Sequence, residues 1–354
     1  MEKALAIQQE VIRILGTDEV YLVGGAVRDI VMGNTPKDYD FTTPLLVEEM
    51  EKLVHDAGRH AYFVGNGKKH GTIGFKVPVE VPTNEEMKKV WGDVERYKEF
   101  HTVYEYVEVT TFRTEVYTSK SRQPDVTFVT DIDSDLARRD FTMNAMVLRP
   151  DGTIYDPYGG KLHIHGKKIV TVGLPKDRIQ EDPLRMLRAA RFAARYGFTV
   201  DPNFTGKARQ LAARILDVSR ERWVQEIDKL LMGEYSSTGI QLMEDFGVLR
   251  FMLPELSFML NQYKPVGNEY EKSHYGFDME ASHANPIFFE EDDVDARWKK
   301  WLEKVSMPAS RKFSEYGYIS YEQQRAISRE INIGICARLK FSNDRTDIIV
   351  GRNK

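Results

Sequence analysis

The stretch YLVGGAVRDIVMGNTPKDYDFTT, residues 21–43, joins a short apolar strand, a glycine pair and an alternating acidic segment. The apolar run Tyr21-Leu22-Val23 stops at Gly24-Gly25, where a short helix pattern opens. Glycines at a strand-to-helix corner let a ligand approach the backbone, and the N–H groups at the helix start favour a phosphate. The pattern therefore predicts a phosphate-binding corner at Gly24 and Gly25.

The acidic segment Lys37-Asp38-Tyr39-Asp40-Phe41 alternates like a strand. A period of two residues places Asp38 and Asp40 on one face, roughly 7 Å apart. Two carboxylates held in this way can share a divalent cation with a nucleoside triphosphate. A tight turn followed by a polar strand edge is the alternative interpretation of a glycine pair alone. The phosphate corner followed by the acidic strand favours the metal site.

Bulk properties limit the class of protein. The chain has 354 residues, enough for more than one domain, with 42% hydrophobic and 29% charged residues, as is usual for globular proteins. Its single cysteine, Cys336, excludes an internal disulfide framework and favours a reducing, cytoplasmic location. No apolar run approaches the ~20 residues of a membrane span. Oligomeric state cannot be inferred from the sequence.

The charge distribution is uneven. A net charge of −4 does not indicate a nucleic-acid-binding protein, but phosphate contacts need only a local basic surface. Residues 181–195 carry four arginines against two acidic residues, whereas acidic residues concentrate at 290–295. This separation is compatible with an enzyme that holds RNA on one side.

Helix and strand patterns alternate up to about residue 165, and helical periodicity dominates from residue 181. We therefore expect an α/β domain, a mixed sheet with flanking helices, followed by an all-α part. Within the first domain, segment 78–105 is longer than a simple hairpin requires and is interpreted as an insertion of unknown role.

Five blocks of the sequence carry a family resemblance. They are GGAVRD with DYD, RRDFTMNAM (138–146), DPYGG (156–160), EDPLRMLRAARFAARYGF (181–198) and SRERWVQEIDKLL (219–231). In this order they resemble the nucleotidyltransferase head shared by class II CCA-adding enzymes (tRNA nucleotidyltransferases) and bacterial poly(A) polymerases. The resemblance implies a catalytic head at 1–165, a helical neck at 166–258 and a helical body at 259–354.

The resemblance implies a catalytic mechanism that depends on Mg²⁺. Asp38 and Asp40 are the expected metal ligands, and a third carboxylate on a neighbouring strand is usual for this architecture. Glu108, in the strand-like run Tyr106 to Thr110, is the candidate for that catalytic carboxylate. The alternative is that Glu108 is simply a solvated strand residue.

Several further residues match nucleotide-binding positions of the family. Gly25 and Arg28 would contact the incoming triphosphate, although Arg28 could instead pair with Asp29 or Asp38. The block at Arg139 would bind phosphate through its guanidinium, with Asp140 and Asn144 meeting the ribose hydroxyls.

The neck block would select the base. Residues matching Asp182 and Arg185 read the base edge in the family, and Arg188 and Arg191 match positions that line the same pocket. An acceptor beside a planar donor fork suits cytosine and adenine rather than uracil and guanine. The alternative is that Asp182, followed by Pro183, only caps a helix. Arg185, Arg188, Arg191 and Arg195 form one stripe on a helix, and few acidic residues nearby could pair with them.

The resemblance implies that CCA is added to tRNA 3′ ends from CTP and ATP, with pyrophosphate released. The loop at 113–122 resembles the one that the family uses in switching from C to A. A poly(A) polymerase, or an enzyme that adds only CC or only A, is the alternative, and a catalytically silent RNA-binding protein is an alternative of another class. Segment 297–350 resembles a degenerate metal-dependent phosphohydrolase (HD) domain without its His-Asp ligands.

Overall fold

The computed structural model describes residues 1–64, 67–82, 100–116, 125–257, 292–302 and 321–351. The chain forms two compact units. The head unit comprises residues 1–166 and 170–173, and the helical unit comprises residues 167–169 and the chain from Leu174 onward. The predicted three-part division at residues 165 and 258 stays a prediction, because segment 258–291 lies outside the described residues.

A seven-stranded mixed sheet forms the centre of the head unit, in the order β3-β4-β5-β2-β1-β8-β9. The strands are β1 Tyr21–Val23, β2 Tyr39–Thr43, β3 Tyr62–Phe63, β4 Thr72–Pro82, β5 Phe100–Thr111, β8 Val147–Leu148 and β9 Ile154–Tyr155, while β6 Arg113–Val116 and β7 Asp125–Phe128 form a separate hairpin. Strands β2 and β5 pair in parallel, and the other pairs are antiparallel. The predicted mixed sheet is therefore confirmed.

Helices flank this sheet, as expected. The helices and short helical turns of the head are Glu2–Leu15, Gly25–Val31, Val47–Asp56, Gly67–His70, Ile132–Ala137, Thr142–Asn144 and Gly160–His165. The first and third of these bury apolar stripes, for example Ile7 and Val11, and Met50 and Val54. On β5 the odd residues Val107 and Val109 are fully buried, so the even residues point to the opposite face.

The predicted insertion is partly regular structure. Strands β4 and β5 pair without interruption from Thr72–Thr110 to Pro82–Phe100, so both ends of segment 78–105 extend an antiparallel ladder. Residues 83–99 lie outside the described part. Likewise, the predicted loop 113–122 begins as strand β6, and residues 117–124 are not described.

The helical unit confirms the all-α prediction, with one short parallel strand pair, Lys168–Ile169 with Thr199–Val200. Its helices are Pro175–Glu181, Arg185–Tyr196, Pro202–Leu211, Ala212–Asp217 (3₁₀), Arg220–Leu231, Ser236–Asp245, Leu249–Met252, 294–302, Tyr321–Arg338 and Asn343–Ile349. The helical periodicity that begins at residue 181 is interrupted at once, because Asp182 lies between two helices. Proline at position 183 disfavours a helical residue before it, and Asp182 is extended, with φ −139° and ψ 102°.

No helix among the described residues combines the length and the apolar character needed to cross a membrane. Residues 303–320, which carry part of the phosphohydrolase-like resemblance, lie outside them, so that interpretation stays a prediction.

Candidate active site

The carboxylates meet at the centre of the head sheet. In the parallel pair β2–β5, Asp40 is the register partner of Glu108, so both side chains lie on the same face of adjacent strands. Asp38 lies in the bend that precedes β2 and is exposed. Hence the structure brings Glu108 next to Asp40, where the sequence could only suggest a neighbouring strand.

Electrostatics distinguish these acids from ordinary surface carboxylates. Water reaches Asp40, but the pocket walls displace much of its hydration and raise its pKa; Arg139 lowers the pKa, and Asp38 raises it further. Burial, Asp40 and Asp38, in that order, raise the pKa of Glu108. Neither Asp40 nor Glu108 forms an ion pair with any residue that the structure describes. A nearby cation from outside the chain would relieve this repulsion.

Asp40 and Glu108 line a pocket of about 330 Å³ together with Arg113, Arg138 and Arg139. Acidic and basic side chains that line one cavity suit a ligand that brings both phosphate groups and a metal ion. No group of three ligating residues in the described ranges is already close enough to hold an ion. Mg²⁺ is usually held by one or two carboxylates together with substrate phosphates and water, so Asp38 and Asp40 fit that role.

The glycine corner lies between two guanidinium groups. A Cβ on Gly24 would come within 3.3 Å of Arg139 Nη1, and one on Gly25 within 3.3 Å of Arg28 Nη2. Gly24 also has φ +71°, a conformation that other residues rarely adopt. The corner therefore requires glycine both for its backbone conformation and for the close approach of the arginines.

Arg28 belongs to a buried network. Its Nη1 donates to Asn144 Oδ1 at 2.7 Å, and its Nη2 donates to Asp29 Oδ1 at 2.9 Å. The amide of Asn144 in turn donates to Asp140 Oδ1 at 3.1 Å. The alternative pairing of Arg28 with Asp29 is thus present, but Arg28 is buried rather than on the surface. The network fixes Asp140 and Asn144, the predicted ribose-binding pair, against the corner.

Asp135 is a site residue that the sequence analysis missed. It is fully buried, and its carboxylate accepts from Arg138 Nη2 at 2.7 Å and Arg139 Nη2 at 3.0 Å. Burial raises the pKa of Asp135, but Arg139 and Arg138 outweigh burial and hold the pKa below its usual value. Its position three and four residues before the RR pair, on a helical segment, was the available signal.

Asp182 occupies the break between two helices of the helical unit. Its Oδ1 accepts from the backbone N–H of Leu184 at 3.1 Å, and its Oδ2 accepts from Arg222 Nη2 at 2.8 Å. The capping alternative is therefore partly correct, although the regular helix begins only at Arg185. One carboxylate oxygen caps a turn, and the other is held by an exposed guanidinium.

The arginines that follow are paired, contrary to the expectation that acidic partners would be few. Arg185 is buried, and its Nη1 donates to Glu181 Oε2 at 2.6 Å and to the carbonyl of Arg178 at 3.1 Å. Glu226, from the helix Arg220–Leu231, pairs with Arg191 at 2.6 Å and lies 3.9 Å from Arg188. Glu181 thus comes from the same stretch of sequence as Arg185, whereas Glu226 comes from a distant helix.

Comparisons with known proteins agree with this arrangement. Residues 20–170 match the family model described as the poly A polymerase head domain, and residues 197–260 match the model described as the probable RNA and SrmB-binding site of polymerase A.

The CCA-adding enzyme of Bacillus subtilis (strain 168) is 38% identical over 244 residues, which cover 68% of this chain and 54% of that enzyme. The CCA-adding enzyme of Geobacillus kaustophilus (strain HTA426) is 37% identical over 66% of this chain and 50% of that enzyme. The chain thus spans about half the length of these curated relatives.

Among solved structures, the CCA-adding enzyme of Bacillus stearothermophilus in complex with CTP matches with a TM-score of 0.60 at 26% identity, over 99% of this chain and 81% of that one. Motifs, head architecture and relatives lead to one assignment. Residues 20–170 therefore belong to the poly A polymerase head-domain family, and the chain is similar to CCA-adding enzymes over about half of their length.

Proposed function

We propose that this protein is a template-independent tRNA nucleotidyltransferase that adds C, C and A to the 3′ end of tRNA, using CTP and ATP and releasing pyrophosphate. The single observation that carries the proposal is the register pair of Asp40 and Glu108 beside Asp38, in a pocket that Arg113, Arg138 and Arg139 also line. The relatives that are named CCA-adding enzymes support this choice over poly(A) addition.

Asp38 and Asp40 would hold Mg²⁺ in this proposal. When bound, the ion supplies charge neutralisation at the triphosphate and activation of the primer hydroxyl. Glu108 contributes a third negative charge beside Asp40. Arg139, anchored on Asp135, and the Gly24-Gly25 backbone would orient the phosphate groups, and Arg28 would hold Asn144 in place for the ribose.

Asp182 and Arg185 would select the base, with Arg188 and Arg191 shaping the pocket. In the described conformation Asp182 Oδ2 accepts from the exposed Arg222, and Arg185 is fixed in orientation by Glu181. An acceptor beside a fixed donor matches bases that carry an exocyclic amine next to a ring acceptor, which cytosine and adenine share. A cytoplasmic location, supported by the single cysteine, completes the proposal.

The test is the extension of a tRNA that lacks CCA, with Mg²⁺ and CTP, ATP or both, resolved at single-nucleotide length. Three additions that then stop and that need both nucleotides support the proposal. A long ladder with ATP alone would establish a poly(A) polymerase, and a stop after two C residues would establish a CC-adding enzyme. No extension under any condition would favour a silent RNA-binding protein.

The base-selecting role has its own test. The variant Asp182→Ala should accept UTP and GTP alongside CTP and ATP, because the acceptor that rejects them is gone. The variant Glu221→Ala removes a nearby acid that pairs with Lys340 and serves as the control. If Asp182→Ala still chooses C and A, then Asp182 acts only as a helix cap.

A further inference from the structure

A group of exposed tyrosines lies on the same sheet face as the catalytic carboxylates. Tyr62, Tyr104 and Tyr106 are 56%, 65% and 44% exposed. Tyr106 and Tyr104 lie two and four residues before Glu108 on β5, and alternation places all three side chains on one face. Tyr62 reaches this face through its register partner Gly74, which itself pairs with Glu108. We call these three residues the tyrosine surface.

The opposite face of β5 has a different role. Val103, Val107 and Val109 point to that side, with the last two fully buried, and Glu105 pairs with Lys3 of the first helix at 2.6 Å. Core packing therefore occupies the odd positions, and the residues that the structure describes form no apolar layer over the tyrosines. Large exposed aromatic side chains grouped on one face indicate a binding surface.

Gly74 determines how Tyr106 lies. A Cβ on Gly74 would come within 2.5 Å of Tyr106 Cζ, so the ring leans across the strand into space that only glycine leaves open. This places Tyr106 close to Glu108. Burial of Tyr106 is the larger cause of the raised pKa of its hydroxyl, and the charge of Glu108 raises that pKa further. The pair of Gly74 and Tyr106 thus holds an aromatic ring beside the carboxylate pocket.

We propose that the tyrosine surface is the platform on which the unpaired 3′-terminal nucleotides of the RNA primer stack. The proposal rests on the proposed function, because the surface begins at Glu108, where the primer hydroxyl must arrive for nucleotidyl transfer. Single-stranded RNA is recognised by stacking of splayed bases on aromatic side chains, with a cation near the backbone. Lys76, exposed and paired in register with Tyr106, supplies that cation.

The experiment measures equilibrium binding of a labelled RNA hairpin with two unpaired 3′ nucleotides, without CTP, ATP or divalent metal. Loss of one stacking ring weakens binding by about 5- to 140-fold, so Tyr106→Ala and Tyr104→Ala should each raise the Kd within this range. Tyr106→Phe and Tyr104→Phe keep the rings and should bind like the wild type. A blunt hairpin should bind all variants equally.

Gly74→Ala gives an independent readout, because the added methyl displaces the Tyr106 ring without removing it. It should raise the Kd for the overhang hairpin, and it should have no further effect when combined with Tyr106→Ala. An unchanged Kd in Tyr106→Ala and Tyr104→Ala would overturn the inference, as would equal losses for blunt and overhang hairpins.

Nucleotide extension separates this inference from the proposed function. If the wild type extends tRNA while Tyr106→Ala raises only the KM for CTP, the surface serves the nucleotide and the inference is wrong. If the wild type binds the overhang hairpin through its tyrosines but transfers no nucleotide, the proposed function fails and the stacking surface stands.

Discussion

The head and helical units both place charged side chains at their proposed sites, but they pair these side chains differently. In the head, Asp40 and Glu108 face each other in register, and no described residue forms an ion pair with either of them. In the helical unit, Arg185 pairs with Glu181, and Arg191 pairs with Glu226. The facing carboxylates of the head therefore have no ion-pair partner among the described residues, whereas these arginines of the helical unit are neutralised internally.

The difference in pairing gives the two groups of charged side chains different roles. Asp40 and Glu108 have raised pKa values because burial and repulsion from neighbouring carboxylates disfavour the ionised forms. Such repulsion is typical of sites where a ligand compensates for the charge. Paired arginines are instead oriented by their carboxylates, so they present fixed donor groups rather than a diffuse positive field. In the proposed function, the carboxylates of the head attract a cation, and the arginines of the helical unit hold an arrangement that a base can match.

The largest expected effect comes from removing one of the facing charges. Asp40→Asn keeps the shape but takes away a metal ligand worth several kcal/mol of transition-state stabilisation, so nucleotide addition should fall by roughly 10³-fold or more. Single-turnover extension of tRNA at saturating CTP measures this loss. Asp18→Asn, an exposed position away from the pocket, is the control. Substantial residual activity would remove Asp40 from the metal site.

The second prediction concerns Asp135, a head residue that is paired as the arginines of the helical unit are. Asp135→Asn removes the buried carboxylate that pairs with Arg139 and one of the two carboxylates that hold Arg138, and it should lower the free energy of unfolding by about 3–5 kcal/mol. Urea unfolding of the full chain measures it.

The control for Asp135 is Asp131→Asn, the N-cap of the same helix, where asparagine caps as well as aspartate. This variant should unfold like the wild type. Equal midpoints for the two variants would show that Asp135 does not anchor the arginines.

Asp40 and Glu108 illustrate what the sequence can and cannot predict about the head. The alternation around Asp38 and Asp40 and the apolar stripe of the first helix follow from local periodicity, so the α/β head was predictable. The register of Asp40 with Glu108 depends on pairing between strands far apart in the chain, which no local pattern specifies.

Other misses have equally physical causes. Glu226 reaches Arg191 only through the packing of two helices, so the sequence around Arg191 contains no sign of it. The break at Asp182 was within reach, because a proline disfavours helix at the residue before it. Asp135 was hidden because an acid near two arginines is typical of ordinary surface helices, and only burial distinguishes it.

The third prediction concerns the loss of folding stability caused by ionised Asp40 next to Glu108. Because the pKa of Asp40 is raised in the folded protein, the folded state binds its proton more tightly than the unfolded chain. Ionised Asp40 therefore destabilises the fold above the raised pKa, and this cost disappears as pH falls through that pKa towards the ordinary value of about 3.9. Without metal, Asp40→Asn should melt up to a few degrees higher than the wild type at pH 7.

Thermal melts from pH 7.5 to pH 4 in a chelator measure that difference. The gap between Asp40→Asn and wild type should close towards low pH, whereas Asp18→Asn should follow the wild type throughout. Added Mg²⁺ should reduce the gap at pH 7, since only the wild type gains a ligand for its carboxylate. A gap that widens towards low pH would contradict a raised pKa at Asp40.

The smallest expected effect tests whether the pair between Arg222 and Asp182 helps Asp182 to contact the base or competes with the base for Asp182. Arg222 is 47% exposed and holds Asp182 Oδ2, an oxygen that the proposed base contact would need. An exposed pair is worth about 0.2–1 kcal/mol, so Arg222→Ala should lower the KM for CTP by up to about fivefold and leave kcat unchanged. Lys340→Ala breaks the nearby pair with Glu221 without touching Asp182 and should leave the KM unchanged. A rise in KM on loss of Arg222 would mean that Arg222 and Asp182 read the base together. The helical unit would then present a preformed set of acceptor and donor, and Asp182 would not need to be released from Arg222 first.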